Sequence, residues 1–572
     1  MPVDENRKTT TCTSQAAALG PFVSGSKVSI GLIECGQSLE YDSRMDSVYD
    51  YIVIGAGSAG CVMATRLAKN HRVLLLEAGR ANPSWDFRVH MPAALSEVLK
   101  GTWYNWAYNS LPEPYMNDRV MYCPRGKVLG GSSSINGMIF VRGNPQDFNR
   151  WSEVYGATGW SYSDVLPFFK MSETKQGGDP QFRGDSGPVQ ITNGETDSPL
   201  CQAWLGAGQE LGFDLTDDFN GARQEGFGPF DRSIAHGRRQ STAVAYLSDH
   251  AAAPDAPGLT VMTKTQVQKV DLESGRVKGV TVLLGGRLIS FGAEREVICA
   301  AGAINSPQLL MLSGIGPEAE LKKHDIVCHV ASEEVGQNLQ DHLEVYVQAD
   351  CQRPVSLYPV TRGLGKLLVG AHWYFFNQGP GATNHFHTGA FLRSGYDPGY
   401  PDLQFHFLPV AMDYDGKDQH KGHGFQAHVG PMKPTSRGQV TLRDANPMQA
   451  PNIQFNYNAT EQDQRVMRQG IDLARELIAS RSFNGLAGKE LKPGVGNLED
   501  FVRERGESAY HPSGTCRMGA DPGAVTDLDG RVKGVRGLRV VDASLMPEIT
   551  NGNLNAVVIM MAEKIAAGMT QS

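Results

Sequence analysis

The sequence lacks several features that would each indicate a class of protein. No apolar run approaches the ~18–20 residues that a membrane-spanning helix needs. The nine cysteines contain no CxxC pair and no tight cluster, lying at positions 12, 35, 61, 123, 201, 299, 328, 351 and 516. This spacing favours neither a disulfide framework nor a structural zinc site. Acidic residues outnumber basic ones, 61 to 53, which argues against a nucleic-acid partner.

These absences indicate a protein of a reducing compartment without a transmembrane segment. We therefore expect a cytoplasmic location, with no more than peripheral attachment at the inner membrane. With 572 residues, of which 41% are hydrophobic, the chain has enough core for about two to four domains. Residues 1–44 show no clear hydrophobic period and are too acidic for a typical transit peptide. We interpret them as a disordered or irregular N-terminal extension.

A nucleotide-binding pattern follows in "YDYIVIGAGSAGCVMATRLAKNHRVLLLEAG". "YIVIG" predicts a buried strand, and Gly55, Gly57 and Gly60 form G-x-G-x-x-G at the start of a helix. "RVLLLE" predicts a second strand that ends at Glu77. Glycines let a pyrophosphate approach the backbone at a helix amino end, and the acidic residue suits a ribose hydroxyl pair. The pattern alone leaves NAD and FAD open.

A second glycine-rich stretch, "CPRGKVLGGSSSINGMIFVRGNPQDFNRW", covers residues 123–151. Arg125 and Lys127 flank small residues, and Gly130, Gly131 and Ser132 begin a loop rich in bare backbone amides. Such a loop can lie against a large flat cofactor or its phosphates. Taken alone, it is equally compatible with a surface turn.

Together with "GAINSPQLLMLSGIG" at residues 302–316, these stretches resemble the signature segments of the glucose–methanol–choline (GMC) oxidoreductases. The resemblance runs from about residue 49 to residue 567. Within the family, "NLQDHLEVY", "FHFLPVAM" and "ITNGNLNA" are most similar to segments of the bacterial members that oxidise choline.

The resemblance implies an α/β fold with a doubly wound, Rossmann-like FAD-binding domain that is discontinuous in sequence. We assign residues 45–155, 226–345 and 505–572 to this domain. Residues 156–225 and 346–504 are expected to form an inserted α+β substrate-binding domain on an antiparallel sheet. "REVICAAGAINSP" predicts a further strand and turn of the nucleotide domain, and "GLRVVDAS" predicts its last strand.

FAD is the cofactor that the resemblance implies. Some relatives bond the flavin ring covalently to a histidine, but the matching position here is Ile135, so we expect non-covalent FAD. The residues expected to contact FAD are Gly55, Gly57, Ser58, Gly60, Glu77, Ala78, Arg125, Gly130, Gly131, Ser132, Asn136, Gly137, Val267, Asp542, Ala543 and Asn553. No metal is expected.

His511, in "HPSGTCRMG", has three interpretations: a metal ligand with Cys516, a packed core histidine, or a catalytic base. Two residues are too few ligands for a metal site. The resemblance favours the base, because His511 matches the family's active-site histidine and Asn555 matches its partner. A histidine near neutral pKa can take the hydroxyl proton of an alcohol, and Asn555 can donate an amide hydrogen bond to the same oxygen.

The substrate is expected to be a primary alcohol, with choline, which gives betaine aldehyde, as the first choice. Glu344 and Tyr346 share one face of a predicted strand, and a carboxylate beside an aromatic ring can hold a quaternary ammonium group. Trp103 can add an aromatic wall. His387 stands where choline-oxidising relatives carry a glutamate, and a possible cation there would weaken choline binding.

Other alcohols therefore remain an alternative, as do a flavin lyase, a fatty-acid photodecarboxylase and a non-enzymatic flavin sensor. The expected partners are the alcohol and an electron acceptor, a quinone or another acceptor such as oxygen. The sequence does not indicate an oligomeric state.

Overall fold

The computed structural model describes residues 31–33, 48–247, 258–396, 399–412 and 420–570. Most of the predicted N-terminal extension lies outside these residues. Its described part, Gly31–Ile33, is a short strand that pairs in parallel with Leu259–Met262, so this piece is not irregular.

Within the described residues, the first sheet has eight strands drawn from separate stretches of the chain. Their order is Gly31–Ile33, Leu259–Met262, Val73–Leu76, Val48–Ile54, Arg287–Cys299, Arg276–Leu284 and Gln266–Glu273, with Leu538–Val540 also paired to Arg287–Cys299. The pairs from Gly31–Ile33 through Arg287–Cys299, and the pair with Leu538–Val540, are parallel. The last two strands of the path are antiparallel. The predicted strands in "YIVIG", "RVLLLE", "REVICA" and "GLRVV" are thus confirmed.

The central parts of four parallel strands are buried on both faces, as their continuous apolar sequences require, at residues 51–54, 73–76, 297–299 and 538–540. Val73–Leu76 is entirely buried. Helices Ser58–Leu67 and Asn555–Thr570 pack together and contribute buried side chains to the core of this sheet. The long predicted helix in "NAVVIMMAEKIAAGM" is confirmed.

The second sheet of the described chain has seven strands and is antiparallel. Its strands are Gly226–Pro229, Leu343–Cys351, Thr388–Leu392, Leu403–Leu408, Gly424–Pro431, Ala487–Lys492 and Glu507–Ser508. The predicted antiparallel sheet is present. Because Gly226–Pro229 belongs to it, the predicted boundary at residue 226 assigns this strand to the wrong sheet.

The remaining elements surround these two sheets. The helices are Ser58–Leu67, Phe87–His90, Leu95–Val98, Pro145–Glu153, Tyr162–Ser172, Pro199–Glu210, Thr242–Tyr246, Gly302–Leu312, Glu318–Lys323, Gly363–Phe376, Glu461–Ile478, Leu498–Arg505 and Asn555–Thr570. Smaller paired strands are Tyr108–Glu113 with Arg119–Cys123, Gln439–Thr441 with Asn452–Gln454, and Val189–Asn193 between Glu173–Lys175 and Asp231–Arg232.

The topology places the ends of three parallel strands at one edge of the first sheet. Val48–Ile54, Arg287–Cys299 and Leu538–Val540 run in the same direction, so the residues that follow them meet there. These are Gly55, Ala300 and Asp542, and all three lie on the wall of one cavity. Ligands of doubly wound folds bind at this edge.

Candidate active site

The glycine-rich turn brings a strand, a helix and the cavity into close contact. A Cβ atom on Gly55 would lie 2.6 Å from the carbonyl oxygen of Ala300, and one on Gly60 would lie 1.8 Å from that of Gly55. Helix Ser58–Leu67 starts at Gly57 with no side-chain cap. Its first backbone N–H groups are therefore available to an anion in the cavity.

Glu77 ends the second strand and also lies on the cavity wall. Its carboxylate accepts hydrogen bonds from the backbone N–H groups of Ala56 (2.9 Å) and Gly79 (2.7 Å). Burial raises the pKa of Glu77 to about 7, and these two amides oppose the shift. Glu77 thus fixes the glycine-rich turn by these two hydrogen bonds, and it remains part of the cavity wall.

Most of the predicted cofactor residues line this one cavity. They are Gly55, Gly57, Ser58, Glu77, Ala78, Arg125, Gly131, Ser132, Asn136, Gly137, Val267, Asp542, Ala543 and Asn553. Gly60 and Gly130 pack behind the wall instead, where a Cβ atom would strike the Gly55 carbonyl oxygen and the Ser134 hydroxyl. We name this space the flavin cavity.

The flavin cavity suits an elongated, anionic cofactor. The helices that begin at Ser58, Gly302 and Asn555 all have their first residue on its wall, so three positive helix ends face it. A Cβ atom on Gly137 or Gly302 would meet no other atom within 4 Å, which leaves room along the wall. Ile135 also lines the cavity, and it offers no atom that could bond covalently to a flavin.

His511 lies on the wall of the flavin cavity, and its backbone is held by a buried carboxylate. Asp341 Oδ1 accepts the backbone N–H groups of both His511 (2.7 Å) and His342 (2.9 Å). The Arg125 guanidinium donates to the carbonyl oxygen of Tyr510 at 2.6 Å. The loop that carries His511 is therefore fixed from two sides.

The hydrogen bonds around His511 determine which of its ring nitrogens carries the proton. His342 Nε2 lies 3.2 Å from the carbonyl oxygen of Met432, which can only accept, so this nitrogen donates. In neutral His342, Nδ1 then holds a lone pair, and it lies 3.1 Å from Nδ1 of His511. His511 must donate from Nδ1, which leaves its Nε2 with the lone pair of a base.

The side chain of Asn553 lies next to His511 Nε2, the atom that carries this lone pair. Its Nδ2 lies 3.2 Å from His511 Nε2, and its Oδ1 accepts a hydrogen bond from Gln404 Nε2 at 3.2 Å. The Gln404 contact fixes the amide so that Nδ2–H points at the imidazole. An alcohol oxygen within hydrogen-bond distance of both nitrogens would accept from Asn553 and donate to His511.

Asn555, the predicted partner of His511, lines the same cavity as His511. It begins a helix, and its Oδ1 accepts the Ser58 hydroxyl at 2.6 Å. This contact fixes the amide and leaves Nδ2 as its donor atom, so the role of Asn555 as a donor to the alcohol oxygen stays a prediction. Asn553, which we expected at the cofactor, lies directly beside His511.

Both histidines of the pair are neutral over the physiological range. Burial lowers the pKa of His511 to about 3, and the charge of Glu344 opposes part of that shift. Burial also holds the pKa of His342 well below its usual range, and the neighbouring His511 adds to the effect. A neutral imidazole is what the assigned pattern of donors and acceptors requires.

Glu344 is buried in a cluster with His406 and His428. Its carboxylate oxygens lie 3.4 Å from His428 Nδ1 and 3.8 Å from His406 Nδ1. Burial opposes ionisation of Glu344, but the polar interactions with the two histidines outweigh it and hold its pKa well below the usual range. Glu344 is therefore a carboxylate at neutral pH.

In the described part of the chain, these three residues have the spacing of metal ligands, with ligand atoms within 4.8 Å of one another. The amide of Gln426 argues for hydrogen bonds instead. Gln426 Oε1 accepts from Met412 N (2.8 Å) and Gln348 Nε2 (2.9 Å), so its Nε2 donates to His428 Nε2 at 2.5 Å. Neutral His428 then carries its proton on Nδ1, facing Glu344, where a metal would need a lone pair.

Two aromatic residues that we expected at the substrate, Tyr346 and Trp103, lie outside the flavin cavity. Among the described residues that line the flavin cavity, neither Tyr346 nor Trp103 occurs, and neither does Glu344. Tyr346 is buried with its ring 4.1 Å from that of His428. Trp103 is half exposed, and the Arg80 guanidinium packs over it at 3.8 Å. Trp106 and Phe386 line the cavity instead.

His387 is also outside the flavin cavity, which corrects the objection that it raised against choline. It lines a separate cavity with Arg232, Thr383 and His385. The backbone N–H of Glu195 donates to its Nδ1 at 2.9 Å, and an Arg232 nitrogen lies 3.3 Å from the same atom. Burial lowers the pKa of His387 to about 3. The residue is neutral and does not bring a cation to the substrate.

Sequence reasoning missed several residues of the site. His342, His406, His428, Gln404 and Phe386 were not assigned roles, although "NLQDHLEVY" and "FHFLPVAM" contain two of the histidines. A signal was present in "QDHLE", where His342 and Glu344 share a face of the strand start.

Among the described residues, no helix combines the length and the apolar character needed to cross a bilayer.

Comparison with known proteins agrees with the predicted family. Sequence models described as GMC oxidoreductase match residues 49–344 and 434–562. A protein of Brucella anthropi named oxygen-dependent choline dehydrogenase is 49% identical over 522 residues, covering 90% of this chain and 94% of that protein. A protein of the same name from Paraburkholderia phymatum is 49% identical over 527 residues, covering 91% and 92% of the two chains.

Solved structures with the same fold include two oxidases. Pyridoxine 4-oxidase from Mesorbium loti superimposes with a TM-score of 0.82 at 29% identity and covers 91% of this chain and 99% of its own. A formate oxidase of Aspergillus oryzae, studied for modification of its FAD, has a TM-score of 0.85 at 28% identity, with 92% and 98% covered.

Proposed function

Because the chain belongs to the GMC oxidoreductase family, we propose that it oxidises choline to betaine aldehyde with His511 as the base. The chain is an FAD-dependent oxidoreductase that acts on alcohols. Beyond this class of enzyme, we propose the identity of the substrate, the base and the electron acceptor, and non-covalent binding of FAD. The observation that carries it is the lone pair of His511 Nε2, fixed inside the flavin cavity by His342 and Asn553.

The residues around His511 can divide the work of alcohol oxidation. The alcohol hydroxyl donates its proton to His511 Nε2, and the Asn553 amide stabilises the negative charge that develops on the alcohol oxygen. The carbon–hydrogen bond then breaks, its electron pair leaves as hydride, and the oxygen forms the carbonyl of the aldehyde. Bound FAD supplies the oxidising power by accepting that hydride.

A buried negative charge near the base favours a cationic alcohol. Glu344 is ionised, and the Gln426 amide, by donating to His428 Nε2, turns the Nδ1 proton of His428 toward this carboxylate. The carboxylate also acts on His511 electrostatically. A quaternary ammonium group near this carboxylate would gain Coulomb attraction that a neutral alcohol lacks. The name of the relatives at 49% identity supports the same substrate.

The reductive half of the reaction tests the substrate. Anaerobic addition of choline to the holoenzyme should bleach the oxidised flavin absorbance and yield one betaine aldehyde per flavin. The neutral isostere 3,3-dimethylbutan-1-ol should bleach it only at much higher concentration. If choline leaves the flavin oxidised and the isostere or another alcohol reduces it, the enzyme acts on a different alcohol. A lyase or a sensor would show no bleaching with any alcohol.

The same reduced enzyme tests the acceptor, which we propose to be a quinone, with the enzyme in the cytoplasm and attached peripherally at the inner membrane. Oxygen is the competitor, since the relatives are named oxygen-dependent. Mixing the reduced enzyme with a soluble ubiquinone analogue should reoxidise the flavin at least about tenfold faster than air-saturated buffer does. Equal or faster reoxidation by oxygen would contradict the quinone.

The low pKa of His511 sets the pH dependence. A free histidine titrates near pH ~6.5, whereas burial lowers the pKa of His511 to about 3. The base works only when unprotonated, so activity is lost as the pH falls through the pKa of the folded enzyme. We therefore expect kcat/KM for choline to stay at its plateau value as the pH falls to ~6.5, where a free histidine would be half protonated. Measurement between about pH 5.5 and pH 9 checks this, and an acid limb near neutrality would contradict a lowered pKa of the base.

A further inference from the structure

Helix Gly363–Phe376 carries an apolar stripe that faces outward. Leu364, Leu367, Leu368, Ala371 and Phe375 follow one another at helical spacing and are all exposed. The exposed fractions of the four large side chains lie between 65% and 79%. A soluble helix normally turns such a stripe toward the core.

The opposite face of the helix is firmly packed, so the orientation of the stripe is fixed. Trp373 is buried, donates from Nε1 to the carbonyl oxygen of Gly237 at 2.7 Å, and packs with Met91 and Ala94. Val369 joins the same contact. Turning the stripe inward would expose this tryptophan and break its hydrogen bond.

Further exposed rings adjoin the carboxyl end of the helix. Tyr374 and Phe376 are each more than half exposed. The Arg238 guanidinium donates to Asn377 Oδ1 (3.2 Å) and to the carbonyl oxygen of Ser84 (2.6 Å), which brings the neighbouring Trp85 to this end. Trp85 is 65% exposed. We define the docking helix as residues 363–376 together with Trp85.

The charge around the docking helix differs from that of the whole chain. The chain has a formal net charge of −8, yet no acidic residue occurs between Asp350 and Asp397. Arg362 and Lys366 lie at the amino end of the helix, and Lys366 pairs with Glu97, which it shares with Lys100. An apolar stripe with basic and aromatic flanks has the chemistry of a helix that lies in a lipid headgroup region.

We propose that the docking helix binds the surface of an anionic lipid bilayer and lies parallel to it. With 14 residues the helix is too short to span, but its stripe can enter the boundary between headgroups and acyl chains. A second copy of this chain would bring the basic residues of two such surfaces close to each other. Anionic headgroups instead complement Arg362 and Lys366.

The docking helix lies close to a segment that encloses the flavin cavity, so membrane attachment would bring the cofactor near a lipid-soluble acceptor. This step rests on the proposed quinone acceptor. Glu97, the partner of Lys366, belongs to helix Leu95–Val98. Leu95 and Leu99 on either side of it line the flavin cavity. A bilayer at the docking helix would therefore lie next to a segment that encloses the cofactor, within reach of a lipid-soluble acceptor.

Vesicle binding tests the proposal without alcohol or acceptor, so its failure is distinguishable from failure of the proposed function. The holoenzyme is floated with vesicles of phosphatidylcholine alone or with about one third phosphatidylglycerol. We expect binding to the anionic vesicles that weakens at high salt. Leu367→Glu/Phe375→Glu should bind at least about tenfold more weakly, because charges cannot enter the apolar boundary.

A matched control is Leu288→Glu/Val327→Glu, which adds the same charges at exposed apolar residues elsewhere and should bind like the wild type. Leu367→Ser/Leu368→Ser is a milder second variant. All variants should keep their flavin and their rate of alcohol oxidation with a soluble acceptor. The proposal is overturned if the wild type does not float with anionic vesicles or if the docking-helix variants float equally well. It is also overturned if the wild type forms a dimer that these variants abolish and binds no lipid.

Discussion

Replacing His511 by alanine should lower kcat for choline about 10³-fold while the enzyme keeps its FAD. General-base catalysis contributes ~10²–10⁴-fold, and the hydrogen bonds of His511 and His342 leave the lone pair of His511 on Nε2, the atom that we propose accepts the hydroxyl proton. Without it, hydride must leave a neutral alcohol, which is a poor donor. Stopped-flow measurement of anaerobic flavin reduction by choline isolates this step from reoxidation.

His329→Ala is the control, because His329 is exposed and does not line the flavin cavity. It should reduce flavin at the wild-type rate. A His511→Ala enzyme with full FAD content and a reduction rate within a few-fold of wild type would remove His511 from the mechanism. Loss of FAD from the variant would instead show that His511 serves to hold the cofactor.

Glu344→Gln should raise KM for choline about 30-fold and leave KM for the neutral isostere, 3,3-dimethylbutan-1-ol, nearly unchanged. Truncating one partner of a buried charge pair costs ~2–5 kcal/mol, and ~2 kcal/mol corresponds to this factor. Glutamine keeps the shape of the side chain and an oxygen that can face His428 Nδ1, which lies 3.4 Å from the carboxylate, so the main change is the loss of charge. Steady-state kinetics with both alcohols separates the two effects.

Asp350→Asn offers a matched control on the same strand. Asp350 is a partly exposed carboxylate that pairs with His420 at 3.0 Å, so its loss should leave both KM values unchanged. Equal damage to the cationic and the neutral alcohol in Glu344→Gln would mean that Glu344 supports the histidine cluster rather than binding a cation.

The nucleotide end of the fold could be predicted because its determinants are local. Strand, glycine turn, helix and terminal acid follow one another within 31 residues, from Tyr49 to Gly79, and each has a physical reason in its own segment. Motif matching assigned Asn555 to the reaction and Asn553 to the cofactor, but it did not reveal that Asn553 lies directly beside His511. The two asparagines are two residues apart, and the start of helix Asn555–Thr570 turns one toward His511 and the other toward Ser58.

The cluster around Glu344 depends on pairing between strands that are distant in sequence. His406 lies directly opposite His428, and His428 lies directly opposite Tyr346, on adjacent antiparallel strands. Shifting either pairing by one residue would turn these side chains to the other face. A single sequence shows each strand but not this register, so the two histidines could not be placed beside the carboxylate.

His387 illustrates the same limit over a shorter distance. Phe386 lines the flavin cavity, whereas His385 and His387 line the neighbouring one. His385 has a positive φ of 65° and precedes strand Thr388–Leu392, so a local turn of the backbone sets the direction of each side chain here. Identifying the segment with a substrate pocket was therefore insufficient, because a single sequence does not show this turn.

The two facing Nδ1 atoms of His342 and His511 also limit how many protons the site can store. At 3.1 Å only one hydrogen fits between them, since a second would set two N–H groups against each other. Once His511 has captured a proton at Nε2, the pair is full and carries a single positive charge. That proton must leave His511, to solvent or to the acceptor as the acceptor is reduced, before another alcohol can be deprotonated, so each catalytic cycle includes an obligatory deprotonation of the pair.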